Sequence, residues 1–294
     1  MKAIFNKTLV ILFLIINYIP SIAQENSADT VVKVSTPVKH TFENAVLMNN
    51  QTVEKGNKKT LDFMIQHRFG IIENIDDMFG IFGPSNIRLG LNYAITNRLA
   101  VGIGASKNKH LYDLEWKYLL LKQMKNGGSP VTISYYGNMG RSADDKDKFI
   151  NQDSAYKSSN RNSYFNEIMI ARKINNALSL QIAATYSHYN IVDSVLGKHD
   201  FYGGSFIGRY KFSPQSSVHI EFDYLFNVSD IEKESRPLPN LGIGYEVATS
   251  GHQFQMFICT ANGIIGQETR VYNLNDFTKK EVLIGFNITR QWGF

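Results

Sequence analysis

The sequence predicts an all-β protein, a closed up-and-down antiparallel transmembrane β-barrel of about 12 strands. Three observations predict this fold. Apolar and polar residues alternate with a period of two after residue 55, the connections between the alternating segments are short and long in turn, and the chain ends in an aromatic residue. A period of two places successive side chains on opposite faces of a strand, whereas an amphipathic helix needs a period near 3.6.

The start of the chain has the features of a secretory signal peptide. Two lysines lie in the first seven residues, residues 9–19 are almost wholly apolar, and Ser21 and Ala23 supply the small side chains that precede a cleavage site. The apolar run is shorter than the ~20 residues of a membrane-spanning helix. We therefore expect cleavage between Ala23 and Gln24.

Three regions follow from this reading: a signal peptide at 1–23, an N-terminal periplasmic extension or plug at 24–58, and the β-barrel domain at 59–294. The alternative for residues 41–54 is an extra strand, whereas an extension or a lumen plug keeps the number of strands even. The hydrophobic share of 43% and the net charge of +5 suit one ordinary domain. No dense basic run is present that would indicate a nucleic-acid partner.

The alternating segments give twelve expected strands, an even number. Most are close to the ~10 residues that a tilted strand needs to cross a bilayer. They lie at 60–69, 86–95, 99–106, 110–121, 130–139, 163–174, 178–187, 202–213, 217–226, 240–249, 252–260 and 280–294.

The lengths of the connections alternate along the chain. Those after the even-numbered strands are short, and those after the odd-numbered strands are long, except after the third strand. Membrane barrels have short periplasmic turns and longer external loops. The pattern therefore places both chain ends on the periplasmic side.

Turn chemistry predicts three cross-strand pairs of polar residues, because loop length fixes the register of a hairpin. With a two-residue loop at 250–251 and a three-residue loop at 214–216, the expected pairs are Glu246 with Gln255, Arg209 with Glu221, and Lys211 with His219.

The apolar face of each strand is expected to meet lipid, and the polar face to line the lumen. The solvent face of an ordinary sheet would also be polar, and the strand at 163–174 is irregular because Phe165 and Met169 share a face with Glu167. The residues expected to face the lumen are Arg88, Asn92, Asp113, Glu115, Lys117, Glu167, Gln181, Arg209, Lys211, His219, Glu221, Asp223, Glu246 and Gln255.

The last strand is similar to the C-terminal strand of outer-membrane proteins, which the barrel assembly machinery recognises. Phe286, Ile288, Trp292 and Phe294 lie on one face of it and are the expected assembly signal. Arg290 interrupts that face and is tolerable near the periplasmic rim, where a charge costs ~0–1 kcal/mol. The expected partners are thus outer-membrane lipid and the assembly machinery.

Five short segments resemble an uncharacterised β-barrel family, a domain of unknown function found in secreted proteins of Gram-negative bacteria. They are IQHRFG at 65–70, NIRLGL at 86–91, GRYKF at 208–212, GHQF at 251–254 and GFNI at 285–288. The resemblance covers nearly all of the chain beyond the signal peptide. It implies a barrel in an outer-membrane or secreted location, and it carries over no functional residues.

The sequence contains no catalytic, phosphate-binding or metal-binding motif, and no pair of histidines has metal-ligand spacing. We expect no cofactor, no metal site and no catalytic residue. A cluster of Arg209, His219, Glu221 and Asp223 is expected to form a salt-bridge network that satisfies charges inside the lumen.

These features predict an outer-membrane barrel with a polar lumen, which is either a narrow channel for a small solute or a closed barrel with an anchoring or accessory role. One alternative is a membrane-embedded hydrolase or acyltransferase, which needs a serine, a histidine and a carboxylate at the outer rim; His188 and residues 140–162 are its candidates. The other alternative is a soluble periplasmic barrel that holds a small apolar ligand, with apolar residues inside and charges outside.

Overall fold

The computed structural model describes residues 34–73, 76–150, 156–192 and 194–294. The expected signal peptide and its cleavage site at Ala23 and Gln24 lie outside these residues. Among the described residues, no helix is both long and apolar enough to cross a bilayer.

Twelve strands form a closed antiparallel barrel, as the sequence predicts. Each strand pairs with its neighbour along the chain, and the last strand pairs with the first. They are β4 (Thr60–Ile71), β5 (Asn86–Ala94), β6 (Leu99–Ser106), β7 (Leu111–Leu121), β9 (Thr132–Ser142), β10 (Asn162–Lys173), β11 (Leu178–Tyr189), β12 (Asp200–Lys211), β13 (Ser216–Leu225), β14 (Asn240–Ala248), β15 (His252–Cys259) and β16 (Leu283–Gly293).

Besides the barrel strands, the described residues form four short strands, one α-helix and five short 3-10 helices. β1 (Thr36–Pro37) pairs with β8 (Met124–Lys125) in the connection between β7 and β9, and β2 (Val46–Leu47) pairs with β3 (Asn50–Gln51) in a separate hairpin. The helix α1 (Gly266–Val271) lies in the connection between β15 and β16. We call the end of the barrel with the brief hairpin turns the short-turn end, and the opposite end the long-connection end.

Burial alternates along the strands because the polar residues point inward. In β13, Ser217 and Glu221 are buried. Ile220 and Phe222, the two residues next to Glu221 in the chain, are exposed on the outer surface. This is the reverse of the apolar interior and charged exterior that the soluble-barrel alternative requires.

The registers predicted for the two hairpins, at 250–251 and at 214–216, have different outcomes. The pair Glu246 and Gln255 is confirmed. The pairs of Arg209 with Glu221 and of Lys211 with His219 are wrong, because Arg209 lies opposite His219 and Lys211 lies opposite Ser217.

The hairpin turn between β12 and β13 explains the error. The Ser213 hydroxyl accepts hydrogen bonds from the backbone N–H groups of Gln215 and Ser216, so the turn is centred one residue earlier than expected. Moving the turn by one residue changes the pairing by two positions, which keeps every side chain on its predicted face.

The last strand begins three residues later than predicted. Phe277–Lys279 form a 3-10 turn whose first amide groups are capped by Asp276, and Lys280 ends the turn in the left-handed conformation. The capped turn uses backbone groups that a strand would need, so β16 starts at Leu283.

Closure of the barrel can be tested with a disulfide between β4 and β16. Ile65 lies opposite Ile288 on the outer surface, and facing residues in neighbouring strands have Cα atoms close enough for a disulfide. In a Cys259→Ser background, oxidation of Ile65→Cys with Ile288→Cys should give nearly complete cross-linking, measured by mass spectrometry after thiol alkylation.

The matched control places the second cysteine at Ile243 in β14, three strands away from β4. That separation exceeds the ~7 Å limit between Cα atoms that a disulfide can join. Equal cross-linking in both variants, or none in the first, would contradict a closed barrel.

Candidate functional site

Residues 38–56, here called the inner segment, lie inside the barrel. The chain enters at the short-turn end, where β1 pairs with β8 and the Val38 N–H donates to the Gln123 carbonyl. Hydrogen bonds then join the inner segment to β4, β7, β9, β11, β12, β13, β15 and β16. A segment can reach strands on all sides of a closed barrel only from its interior.

Lys117 of β7 holds both arms of the hairpin in the inner segment. Its Nζ donates to the carbonyls of Ala45 at 2.8 Å, Thr52 at 2.9 Å and Glu54 at 3.0 Å. The ammonium group has three donors, and all three are used. A buried charge is thus satisfied by neutral backbone groups of the inner segment.

Glu221 of β13 accepts hydrogen bonds from the tip of the hairpin. The Asn49 amide groups donate from N at 3.0 Å and from Nδ2 at 2.6 Å, and Asn50 Nδ2 donates at 3.0 Å. Asn240 of β14 supplies a fourth donor at 2.8 Å. Three of these four donors belong to the inner segment, so the Glu221 carboxylate depends on that segment for most of its hydrogen bonds.

Arg68 of β4 is fully buried and was not among the predicted lumen residues. Its Nε donates to Asn49 Oδ1 at 2.9 Å and its Nη2 donates to the Met48 carbonyl at 3.1 Å. Gly285 allows this placement, since a Cβ there would lie 2.9 Å from Arg68 Cδ. The sequence does indicate that Arg68 points inward. Arg68 lies two positions after Gln66 in the same strand, so both side chains are on the same face, and Gln66 is buried.

A second polar cluster lies in the wall between β5 and β9. Arg88 Nη2 is 2.6 Å from Asp113 Oδ2 and 3.3 Å from Glu115 Oε1, and the Tyr136 hydroxyl donates to Glu115 at 2.5 Å. A Cβ at Gly104 would lie 2.4 Å from Arg88 Nε, so glycine gives the guanidinium its space. This cluster satisfies its charges within the wall.

Helix α1 fills the lumen from the long-connection end. Arg270 Nη2 donates to Asp223 Oδ1 of β13 at 2.8 Å and to Asn50 Oδ1 of the inner segment at 2.5 Å. Gln267 Nε2 donates to Asn138 Oδ1 at 3.0 Å. The helix and the inner segment therefore meet around Asp223 and Asn50.

Little open space remains in the lumen. The cavities between the inner segment, α1 and the wall measure about 20 and 10 Å³, which is the size of one water molecule or less. Larger cavities lie at the two mouths of the lumen, about 360 Å³ at the short-turn end and about 980 Å³ at the long-connection end. The lumen is closed in this structure.

Twelve of the fourteen residues expected to face the lumen are buried, and Asn92 and Lys211 are partly exposed. The expected network among Arg209, His219, Glu221 and Asp223 is wrong in its partners. Arg209 Nη2 pairs with Glu43 of the inner segment at 2.8 Å. Some charges of the wall, such as those of Arg209 and Lys117, therefore have partners in the inner segment, which a strand pattern cannot reveal.

The irregular face of β10 has an explanation in the inner segment. Phe165, Met169 and Glu167 are all buried on the inner side. Phe165 and Met169 form one apolar cluster that includes Phe42 and Leu47 of the inner segment. Phe165 and Met169 therefore point inward because they pack against the inner segment.

No catalytic trio is present among the described residues at the positions that the hydrolase alternative needs. His188 Nδ1 is 2.8 Å from Asp200 and its Nε2 is 3.1 Å from Asn190, so neither nitrogen meets a serine. In the lumen, Ser217 Oγ and Glu246 both lie on the Nε2 side of His219, at 3.1 and 3.8 Å. A serine triad needs the acid at the opposite nitrogen.

The described residues also show no candidate metal site. They contain no group of three or more histidine, cysteine, aspartate or glutamate side chains that could hold a metal ion.

The ion pairs of Glu43 predict that the docking of the inner segment depends on pH. Burial raises the pKa of its carboxyl, but the hydrogen bond from Lys211 and the charges of Arg209 and Lys211 outweigh burial and hold the pKa below its ordinary value of 4.5. A pKa that is lower when docked adds stability above the ordinary value, and this stability is lost as the pH falls through the lowered value.

We expect exchange protection of the amide groups in residues 44–53 to fall below about pH 4.5. Hydrogen–deuterium exchange, corrected for the intrinsic rate, measures it. Glu43→Gln should remove most of the change below pH 4.5, whereas Asp145→Asn at the exposed long-connection end should leave it intact. An unchanged acid response in Glu43→Gln would assign the effect to another group.

The closed strand cylinder, its apolar outer surface and its polar interior define a membrane β-barrel. The chain belongs to the family described as "Membrane bound beta barrel domain (DUF5777)", which matches residues 42–292. The match starts within the inner segment, so most of that segment is part of the family domain. No curated protein matches the chain.

Several solved outer-membrane proteins are similar in fold. The KdgM porin has 10% sequence identity and a TM-score of 0.45, over 80% of this chain and 99% of that one. An outer-membrane channel from Pseudomonas putida F1 has 12% identity and a TM-score of 0.47, over 81% and 97%. The outer-membrane protein Omp33 of Acinetobacter baumannii has 10% identity and a TM-score of 0.43, over 81% and 100%. These values support no inference about function.

Proposed function

We propose that the chain is an outer-membrane barrel whose inner segment is the removable plug of a narrow channel for small polar solutes. The observation that carries this proposal is the position of the inner segment, which fills the lumen and is held by polar contacts from eight of the twelve strands.

Several features support the outer-membrane location. Apolar residues cover the outer surface, and aromatic side chains such as Tyr118, Tyr202, Tyr210 and Phe226 lie near the strand ends. The short-turn end is then periplasmic, and outer-membrane lipid surrounds the wall. The residues Phe286, Ile288, Trp292 and Phe294 are proposed as the signal for the assembly machinery, and Ala23–Gln24 as the cleavage site of the leader.

Polar contacts suit a plug that leaves its seat. Water can replace a hydrogen bond at a net cost of only about 0.5–1.5 kcal/mol, or about 1.5–3 kcal/mol where a charge takes part. Once the inner segment leaves, water would enter the lumen. Lys117, Glu221 and Arg68 would then be hydrated and would not be left without partners in a dry interior. Open and closed states can therefore lie close in free energy.

A second candidate is a permanently closed barrel with an anchoring or accessory role. The apolar cluster of Phe42, Leu47 and Val53 with Phe165 and Met169 favours it, because water does not replace apolar contacts. The buried helix α1 would also keep the outer half of the lumen filled after the inner segment leaves.

Planar-bilayer recordings decide between these candidates. We expect the wild-type protein to be closed with rare conductance steps, and deletion of residues 41–54 to give frequent ones. Lys117→Met removes the donor of three hydrogen bonds to the inner segment and should raise the open probability at least about tenfold.

Lys58→Met is the matched control, because Lys58 lies outside the inner segment and is exposed at the short-turn end. It should behave as wild type. If the deletion and Lys117→Met variants insert as folded barrels and stay closed, the channel proposal fails and the anchoring role is supported.

A further inference from the structure

One part of the outer wall departs from the apolar rule. On β13 and β14 the outward residues are apolar or aromatic, for example Ile220, Phe222 and Ile243. On β10 and β11, near the long-connection end, the outward positions carry Asn166 and His188 instead. Polar groups that face hydrocarbon without a partner are costly, so this exception needs a cause.

The strand register gathers the exceptional residues into two adjacent rows. One row runs across β7, β9, β10 and β11 through Trp116, Gly137, Asn166 and Tyr186. The next row toward the long-connection end follows the same strands and β12. It contains Leu114, Met139, Tyr164, His188 and Asp200. The polar residues therefore form one patch.

The patch surrounds a recess of about 420 Å³ in the outer wall. Its lining consists of Trp116, Asn138, Tyr164, Asn166, Tyr186 and His188. A Cβ at Gly137 would lie 2.3 Å from the Trp116 ring, so the glycine lets the indole lie against the backbone.

The polar groups of the recess are fixed in direction but only partly satisfied. The Tyr135 hydroxyl donates to Asn166 Oδ1 at 2.5 Å, and Asp200 Oδ1 lies 2.6 Å from the Tyr186 hydroxyl and 2.8 Å from His188 Nδ1. Within the described residues, Asn166 Nδ2 and the Tyr164 hydroxyl have no hydrogen-bond partner. They point to a ligand that accepts and donates hydrogen bonds.

The recess lies in the third of the wall nearest the long-connection end. Asn166 is four residues from the start of β10 at the long-connection end. A tilted strand rises roughly 2.5 Å per residue along the membrane normal, which places Asn166 about 10 Å below the strand end. Tyr186 lies in the same row and Tyr164 lies one row nearer the strand ends, and amphipathic rings of this kind are typical of the interface between headgroups and hydrocarbon.

We propose that this recess binds the sugar headgroup of a glycolipid in the outer leaflet, which rests on the outer-membrane placement proposed above. Aromatic rings provide flat apolar walls for the C–H faces of a sugar, while the amide, hydroxyl and imidazole groups hydrogen-bond its hydroxyls. None of the six lining residues is a lysine or arginine, and Asp200 adds a carboxylate beside them, so a neutral sugar fits better than a phosphate.

Trp116 lies in the recess and Trp292 is the only other tryptophan of the chain, so a Trp292→Phe background gives a local fluorescence probe. The protein is placed in phosphatidylcholine nanodiscs and titrated with diglucosyl diacylglycerol, and separately with phosphatidylglycerol and with a phosphorylated glycolipid of the lipid A type. We expect a saturable change with the neutral glycolipid and none with phosphatidylglycerol.

Asn166→Leu and Tyr164→Leu should each weaken binding about tenfold. The matched control Tyr224→Leu, an outward tyrosine on β13 away from the recess, should bind as wild type. Equal response to all lipids, preference for the phosphorylated lipid alone, or wild-type binding by both recess variants would overturn the proposed site. A chain that does not enter the nanodisc would overturn the outer-membrane placement as well, so the two failures are distinguishable.

Discussion

Enclosure of charged groups is the constraint on which the rest of the structure depends. A closed barrel with an apolar outer surface must turn its ionic residues inward, and a dry interior cannot hold them without partners. Glu221 shows the consequence, because the asparagines of the inner segment provide three of its four hydrogen-bond donors. Neutral amide groups of the inner segment thus satisfy much of the Glu221 charge, while Glu43 and Arg270 pair with other charges of the wall.

The barrel itself could be predicted from the sequence because its determinants are local. Alternation fixes the face of each side chain, and connection length fixes the order of the strands. Glu246 was paired correctly with Gln255, since a two-residue loop leaves little choice of register. Arg209 was paired wrongly, because the hydroxyl of Ser213 moved a three-residue turn by one position, and several residues near that turn could have taken this role.

The site could be predicted only in part, since parity shows that a residue points inward but not what it meets. Lys117 was expected in the lumen, yet its partners lie in residues 45–54, far from it in the chain and without a strand pattern of their own. Arg270 belongs to a short helix in a long connection, where no periodic pattern of apolar residues predicts that it is buried. On the outer wall Asn166 has the outward parity of β10, but only the register across four strands brings it next to Trp116 and His188.

The two elements that fill the lumen are not equivalent, and the charges decide which one leaves more readily. Withdrawal of helix α1 would remove Arg270, the cation paired with Asp223 in the described part of the chain, and would leave that carboxylate beside Glu221 with amide partners only. Two neighbouring carboxylates without a cation repel each other. Withdrawal of the inner segment leaves the Arg270–Asp223 pair intact and opens Glu221 to water from the short-turn end. It also separates Glu43 from Arg209 and Lys211, so both withdrawals break an ion pair. The inner segment is proposed as the movable element because Glu43 and Lys211 are already partly exposed at the short-turn mouth, where water can solvate them.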